Sequence, residues 1–342
     1  MRYPTAMRLS RCGPGARAFV AVFLALGAAH AQGERLQEAR PLMGTVVEVT
    51  AEGADAQALH GALNAAYAEM NRLSDMMNRY NPASVVSAIN DAAGARAVSA
   101  PPELMEVLAM AQRMSARTQG AFDVTIGSLQ GWRFRPGEER VPARAEIAAQ
   151  LPRVNWRKLE LDRREGTAYL RAPGMRIDLG GIAKLYILDA GWRTLERHGV
   201  ARALVNGGGD VRVGGPPAGP AWRIGVRDPR APGALLGVAE VARGFVSSSG
   251  DYERAFVRDG RRYHHILDPR TGFPAVGPSG VTVIATQIEA ANGLSVAVMV
   301  LGKAAGIRLI AATPGADGVI VDRDGSVWMS EGFRARLKPA AP

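Results

Sequence analysis

Cysteine is almost absent from this chain of 342 residues, which excludes a fold stabilised by disulfides. The one cysteine, Cys12, lies ahead of the apolar run at residues 18–29, whereas the lipid-modified cysteine of a lipoprotein signal follows such a run. The run is also shorter than the roughly 20 apolar residues that cross a bilayer. Neither a lipid anchor nor a transmembrane span in the mature chain is expected, and stability must come from a buried apolar core.

Acidic residues are outnumbered by basic ones, but the basic excess is not concentrated in one segment. The chain has 42 Lys and Arg against 32 Asp and Glu, a formal net charge of +10. Arg2, Arg8, Arg11 and Arg17 precede the apolar run, and the other arginines are spread along the sequence. Aromatic residues are only 6%, with no basic run interleaved among them, so no nucleic-acid partner is expected. Small ligands that carry phosphate remain compatible with this charge.

The first 31 residues predict a secretory signal peptide. A basic start and an apolar run are followed by Ala29-His30-Ala31, the small-residue pattern of a cleavage site. We therefore expect an exported, periplasmic protein that is not a lipoprotein. The remaining chain is long enough for one domain at residues 32–338, with a disordered tail at residues 339–342.

Hydrophobic periodicity predicts an α+β fold. Apolar residues at three- and four-residue spacing predict helices at residues 59–77, 102–114, 182–198, 294–301 and 304–312. Alternating and β-branched segments predict strands at residues 46–49, 177–179, 203–205, 222–226, 235–241, 263–267 and 281–285, and hairpins at residues 159–170 and around residues 323–325. The expected architecture is mixed or antiparallel sheets packed with helices in a single domain.

Two glycine turns carry polar side chains that suit an anionic ligand. In Asp178-Leu179-Gly180-Gly181-Ile182-Ala183-Lys184, two glycines precede a helix whose first turn holds a lysine, so backbone amides and an ammonium would face an anion. The spacing differs from that of a P-loop, and Gly-Gly turns before helices are common. The second turn, Asn206 to Asp210, could admit a ligand or be a β-bulge.

The segment from His264 to Gly272 places ionisable and hydrogen-bonding groups around one Pro/Gly turn. It contains two imidazoles, the Asp268 carboxylate, the Arg270 guanidinium and a threonine hydroxyl. Proline fixes its own φ and glycine permits a sharp reversal, so these groups would be held rigidly at a strand end. An ordinary polar hairpin turn is the alternative.

Together these segments resemble the ApbE-like FAD:protein FMN transferases, a family formerly called thiamine biosynthesis lipoproteins. The resemblance extends from Met43 to about Gly302, and the order of the motifs makes it specific. The matching motifs are Met43-Gly44-Thr45, Arg79-Tyr80 leading to Ser84 and Asn90, Gly120-Ala121-Phe122-Asp123, Asp178 to Lys184, the glycine turn ending at Asp210, Ser249-Gly250, and His265 to Gly272. The implied fold is an ApbE-like, T-fold-related domain.

The resemblance also implies an activity and a set of site residues. The activity is transfer of the FMN half of FAD, through its phosphate, to a Thr or Ser hydroxyl of a redox flavoprotein in the periplasm or membrane, with release of AMP. The implied catalytic residues are His265 as base, with Asp178 and Lys184. The implied FAD-binding residues are Met43, Tyr80, Ala121, Phe122, Asp123, Asp178, Lys184 and Ile266.

Each of these residues has a structural alternative. Met43 and Phe122 could belong to the core, the two aspartates could cap helices, Lys184 could be a solvated helix charge, and His265 could bond to the backbone of a strand. Two further functions therefore stay open. One is a catalytically impaired FAD-binding carrier that helps to mature a redox complex, and the other is an FAD pyrophosphatase that uses the same residues with water.

The chain departs from the family at the metal site that the resemblance implies. Mg²⁺ is expected from a backbone carbonyl at Gly181 and from oxygens of an Ala-Asp-x-x-x-Thr segment. Here Asn292 replaces the aspartate, Val296 replaces the threonine, and Ser295 supplies only a hydroxyl. Mg²⁺ prefers anionic oxygens, so only weak binding is expected unless the FAD diphosphate supplies most ligands. Alternatively, Lys184 and Arg270 could neutralise the phosphates. Leu185 also departs, standing where the family has glycine.

Overall fold

The computed structural model describes residues 34–339. The predicted signal peptide at residues 1–31 and residues 340–342 of the predicted tail lie outside the described residues. Within residues 34–339, no helix combines the length and the apolarity needed to cross a membrane.

Sixteen strands and nine α-helices make up the described part of the chain. The strands are β1 (Glu34–Leu42), β2 (Thr45–Gly53), β3 (Val98–Ser99), β4 (Leu159–Asp162), β5 (Thr167–Leu170), β6 (Arg202–Gly207), β7 (Asp210–Gly214), β8 (Trp222–Arg227), β9 (Leu235–Val241), β10 (Gly244–Gly250), β11 (Ala255–Arg258), β12 (Arg261–His264), β13 (Gly280–Ala285), β14 (Ala316–Val321), β15 (Val327–Met329) and β16 (Leu337–Lys338). The helices are α1 (Ala56–Met77), α2 (Val85–Asp91), α3 (Pro102–Arg117), α4 (Arg144–Gln150), α5 (Ala183–Arg197), α6 (Ile288–Ala291), α7 (Leu294–Leu301), α8 (Lys303–Ala311) and α9 (Glu331–Arg336).

An eight-stranded sheet organises the fold, in the order β1-β2-β6-β7-β10-β13-β14-β15, and every neighbouring pair is antiparallel. Alternation along the strands gives each face its own core. On β2, Val47, Val49 and Ala51 belong to the core that includes α1 and α5. On β7, Val211 and Val213 join a smaller core with the sheet β16-β9-β8.

Helix α1 forms because its apolar residues follow the helical period and its first turn is capped. The buried residues include Leu59, Leu63, Met70 and Leu73, and the Asp55 carboxylate accepts a hydrogen bond of 2.7 Å from the Ala58 amide. The same face packs against α5, where Gly191 lets the Met70 side chain approach the helix backbone. This packing fixes α5, whose first turn carries Lys184.

Most predicted elements are confirmed, including the α+β class, helices α1, α3, α5, α7 and α8, and the hairpins β4–β5 and β14–β15. The strand predicted at residues 177–179 is wrong. Its backbone is bonded elsewhere, because Ile177 exchanges two hydrogen bonds with the Asn90 side chain and the Asp178 amide donates to the Val124 carbonyl. The predicted strand at residues 263–267 instead occupies Arg261–His264.

Candidate active site

Two tight turns meet at one end of the large sheet. Met43 and Gly44 connect β1 to β2 with φ values of 54° and 69°, and Gly208 and Gly209 connect β6 to β7 with 69° and 101°. A Cβ at Gly208 would lie 2.6 Å from Thr45 Oγ1, so only glycine allows this approach. Met43, predicted to bind FAD, therefore lies beside the predicted glycine turn.

Lys184 and Asp210 form an ion pair where the first turn of α5 reaches the start of β7. Lys184 Nζ lies 2.9 Å from Asp210 Oδ2, and both side chains are largely shielded from solvent. The other carboxylate oxygen accepts a 2.8 Å hydrogen bond from Ser247 Oγ. The ammonium is thus held by a carboxylate that is itself fixed, which leaves one cation positioned beside the Gly180-Gly181 turn.

The hydroxyl network continues from β10 to α7. Ser295 Oγ lies 3.1 Å from Ser247 Oγ and 2.9 Å from Ser249 Oγ. One connected polar network therefore crosses the helix-packed side of the sheet, formed by the three serines, Asp210 and Lys184. Ser247 and Ser249 lie within strand β10.

Asp178 lies beside a second cation, Arg79. This arginine belongs to one of the sequence motifs but was not predicted as a site residue. Arg79 Nε is 3.0 Å from Asp178 Oδ2, and Asp178 Oδ1 accepts a 2.8 Å hydrogen bond from the Gly180 amide. Arg79 also donates to the Tyr80 hydroxyl and lies 4.6 Å from the centre of its ring. Tyr80 is 79% exposed, so its ring is available to a planar ligand.

Phe122 and Asp123 point into the protein. The Phe122 ring fills the space between Gly181 and Gly293, where added Cβ atoms would lie 3.3 and 3.2 Å from it. Asp123 caps the short 3₁₀ helix Val124–Ser128, accepting hydrogen bonds from the Thr125 amide and hydroxyl and from the Trp156 amide. Burial raises the pKa of Asp123 despite these bonds. Ala121 is likewise buried, so this segment forms a wall of the site.

His265 directly follows Arg261–His264, and its amide donates a 3.1 Å hydrogen bond to the Arg254 carbonyl. Desolvation by the surrounding protein, followed by the charges of Arg254, His264 and Lys184, lowers the pKa of His265, although part of the residue is exposed to solvent. The imidazole is therefore neutral at pH 7, and the same shift makes it a weaker base than a free histidine. Ile266 is buried, and its carbonyl accepts from the Ala275 amide at 2.9 Å.

Arg270 is committed to its own turn. It makes two hydrogen bonds to the Asp268 carboxylate, at 2.9 Å and 2.7 Å, and the Asp268 carbonyl accepts from the amides of Thr271 and Gly272. This bidentate pair stabilises the turn. Arg270 is therefore paired with a carboxylate, as Lys184 is with Asp210.

The residues at the family's metal positions do not fit Mg²⁺. The Asn292 amide nitrogen faces Met110 Sδ at 3.9 Å, and Ser295 is occupied by the serine network. The methyl groups of Val296 stand beside Gly181, 3.6 Å from where its Cβ would be. Within residues 34–339 no three His, Cys, Asp or Glu side chains are grouped to hold a metal. The structure brings these four positions together but supplies no anionic oxygen among them.

Two cavities flank this region. A small one of about 130 Å³ is lined by Arg79, Tyr80, Asn90 and Trp132, among others, and adjoins the Asp178 turn. A larger one of about 520 Å³ lies against the opposite face of the sheet, beside Trp222, and contains none of the predicted site residues.

The chain is similar along most of its length to known proteins. Residues 43–320 match the model of the ApbE family. A FAD:protein FMN transferase of Klebsiella pneumoniae is 33% identical over 273 residues, covering 79% of this chain and 85% of that protein. One from Treponema pallidum is 31% identical over 299 residues, covering 82% of both chains.

Solved structures agree with these sequence matches. The ApbE protein from Thermotoga maritima superposes with a TM-score of 0.81 and 33% identity, covering 89% of this chain and 100% of that one. The apo form of the flavinyl transferase ApbE from Pseudomonas stutzeri gives a TM-score of 0.76 and 31% identity, covering 91% and 99%. The chain belongs to the ApbE family.

Proposed function

We propose that this protein is an FAD:protein FMN transferase that moves FMN from FAD to a Thr or Ser hydroxyl of an acceptor flavoprotein. The observation that carries the proposal is the similarity to FAD:protein FMN transferases over about four fifths of the chain. The site adds chemical support, because it combines a held ammonium, a neutral imidazole and the exposed ring of Tyr80.

The reaction replaces the phosphoanhydride bond of FAD with a phosphate ester bond to the acceptor. The acceptor oxygen forms a bond to the FMN phosphorus, the bond from that phosphorus to the bridging oxygen of the diphosphate breaks, and AMP leaves with that oxygen. The hydroxyl proton passes to the ring of His265, and the negative phosphates of bound FAD would raise the lowered pKa of this imidazole towards the working range of a general base. Catalysis then depends chiefly on positioning and on neutralising phosphate charge.

Lys184 and the Gly180-Gly181 turn would hold the diphosphate. The ammonium lies in the first turn of α5, a helix of 15 residues whose dipole favours negative charge there, and the Gly181 amide lies just before it, while the Gly180 amide already donates to Asp178. Tyr80 offers an exposed ring to the flavin or adenine, while Met43, Ala121 and Phe122 supply apolar walls. Asp178 orients this turn through the Gly180 amide and Arg79.

The proposal includes only weak binding of Mg²⁺ by the protein itself. With an amide, a hydroxyl and a valine at the family's ligand positions, the cation would depend on oxygens of the FAD diphosphate. None of the roles assigned here to Lys184 or His265 requires a protein-bound metal.

The proposal places the reaction outside the cytoplasm. The basic start, apolar run and Ala29-His30-Ala31 support export, and the acceptor would be a redox protein of the periplasm or membrane. Fractionation of cells that express the full chain with a C-terminal tag should recover a shortened protein in the periplasm. Recovery of the full-length protein in the cytoplasm would contradict this.

A single assay tests the reaction against its two alternatives. The mature chain is incubated with FAD, Mg²⁺ and a flavin-free acceptor domain from a redox protein that carries FMN on threonine. Flavin fluorescence on the denatured acceptor, with equimolar AMP, is expected. FAD binding without products would indicate a carrier, and FMN with AMP but an unlabelled acceptor would indicate a pyrophosphatase.

Matched histidine variants show whether the assigned base acts. His265→Gln should lower kcat at least a hundredfold with little change in FAD affinity, because general-base catalysis contributes about 10²–10⁴-fold. His60→Gln, on the exposed side of α1, is the control and should match the wild type.

A further inference from the structure

Five aromatic side chains form one cluster that is only half buried. Trp132 stacks on Phe134 at 5.7 Å between ring centres, and Phe256 stacks on Tyr263 at 5.4 Å. Trp132 also lies 6.0 Å from both Tyr263 and Phe273, which joins three chain segments. In a chain with few aromatics, a cluster of this size that remains partly accessible to solvent is typical of an interaction surface.

Three arginines border these rings without a carboxylate partner. Arg258 lies 5.5 Å from the Phe256 ring, Arg261 lies 5.1 Å from the Tyr263 ring, and Arg144 lies 5.9 Å from the Phe273 ring. Across residues 34–339, each of the three lacks an ion pair, whereas their neighbours Arg140 and Arg262 are paired with Glu146 and Asp251. Their charge is therefore available to an anionic partner.

The cluster adjoins the candidate active site from two directions. Tyr263 lies on β12, two residues before His265. Trp132 lines the same small cavity as Arg79 and Tyr80, and its indole donates a 3.1 Å hydrogen bond to the Gly272 carbonyl. A molecule seated on the rings would thus lie close to the imidazole that receives the hydroxyl proton.

We propose that the surface of Trp132, Phe134, Phe256, Tyr263 and Phe273, with Arg144, Arg258 and Arg261, binds an acidic segment of the acceptor flavoprotein next to the hydroxyl that receives FMN. This inference rests on the proposed function. Aromatic and arginine side chains are enriched where proteins meet, and unpaired surface charges select partners of opposite sign and speed their encounter. Continuity with the site favours the acceptor over other anionic partners.

Charge reversal on this surface tests the inference. Arg258→Glu with Arg261→Glu is compared with Arg113→Glu and Arg308→Glu, which make the same charge change on α3 and α8. With FAD saturating, the first pair should raise the KM for the acceptor domain at least tenfold, while the KM for FAD changes less than twofold. The control pair should leave both values near those of the wild type.

A milder variant guards against a folding defect. Arg258→Gln with Arg261→Gln should raise the acceptor KM by a smaller factor. Added salt should raise the acceptor KM of the wild type, and this increase should be smaller in both variants. An acceptor whose carboxylates beside the modified hydroxyl are changed to lysine should regain activity with the Glu variant. Loss of that recovery would count against the inference.

Two more measurements test whether the surface binds a membrane or a second copy of the chain instead of the acceptor. The first is binding to phosphatidylglycerol vesicles. If the wild type binds them and the Glu variant does not, while both have the same acceptor KM, the surface belongs to a membrane and the inference is overturned. A wild-type dimer that the Glu variant converts to a monomer, again with unchanged KM, would assign it to a second copy. If the wild type labels no acceptor, the proposed function itself fails; if it labels normally and the variants match it, only this inference fails.

Discussion

At the scale of single residues, the ion pair of Lys184 and Asp210 is the central feature of the site. The lysine was predicted from its place after a Gly-Gly turn, but its partner was predicted only as the end of a glycine loop. Their separation of 2.9 Å depends on α5 and β7 lying side by side, which the sequence spacing does not contain. The pair makes one cation rigid where a diphosphate would bind.

A double-mutant cycle tests that pair. Lys184→Met should weaken FAD binding at least tenfold and lower the free energy of unfolding by about 1–3 kcal/mol, since the shielded Asp210 carboxylate loses its partner. Adding Asp210→Asn should recover much of the stability but not the FAD affinity. Calorimetry with FAD and denaturant unfolding of the wild type, Lys184→Met, Asp210→Asn and the double variant measure the two effects, and additive losses of stability would show that the pair is not coupled.

The missing carboxylate at position 292 gives a second prediction at this scale. Asn292→Asp with Val296→Thr places a carboxylate and a second hydroxyl at the family's ligand positions, so Mg²⁺ affinity should rise at least tenfold, because Mg²⁺ prefers anionic oxygen. Calorimetric titration of Mg²⁺ into the protein without FAD measures it. Val296→Thr alone is the control and should show little gain. An unchanged affinity in the double variant would mean that these positions do not form a metal site.

At the scale of elements, the β6–β7 turn positions the glycine loop against the β1–β2 turn. Gly208→Ala combines a positive φ with a Cβ 2.6 Å from Thr45 Oγ1, and should cost about 1–3 kcal/mol of unfolding free energy. Gly61→Ala, on the exposed face of α1 with open space around it, should instead add about 0.5–1 kcal/mol. Urea unfolding of both variants checks the opposite signs.

Strand β10 shows where element prediction fails. A run of three serines resembles a loop in sequence, yet Phe245 and Val246 before it are buried and the strand pairs with both β7 and β13. The serines are satisfied by one another and by Asp210 and Thr282. Because those partners come from distant segments, local propensity could not reveal the strand.

At the scale of the whole molecule, buried histidine makes stability depend on pH. His264 is 1% exposed; its Nε2 lies 3.0 Å from the Ala275 carbonyl, and across residues 34–339 its Nδ1 lacks a partner. Burial lowers the pKa of His264, with Asp251, Arg262 and Arg323 contributing smaller effects of both signs. The unfolded chain therefore binds more protons below about pH 6.5.

Stability should consequently fall as pH drops from 7 towards 5, before most carboxylates are protonated. The melting temperature measured across this range should decline, and His264→Gln should show a shallower decline because one of the two histidines with a lowered pKa is removed. His60→Gln, whose ring is on the surface, serves as the control. Parallel curves for wild type and His264→Gln would refute the assignment.

The sequence by itself determined the elements whose signals are local. The period of apolar residues specified α1, α3 and α5, alternation specified β8 and β9, and the ordered motifs from Met43 to the His265 segment were enough to identify the ApbE family. These signals survive without tertiary information because side-chain burial repeats with the geometry of the helix or strand itself.

Only the tertiary structure decided which groups from distant parts of the sequence form hydrogen bonds and ion pairs with one another. It paired the Ile177 backbone with the Asn90 side chain and the Asp178 amide with Val124 instead of a strand, linked Lys184 to three serines through Asp210, and paired Arg270 with Asp268. It also gathered Trp132, Phe256 and Phe273 into one surface. Hydrogen bonds and ion pairs form between whichever groups the fold brings within about 3 Å, and that proximity is a property of the packed chain.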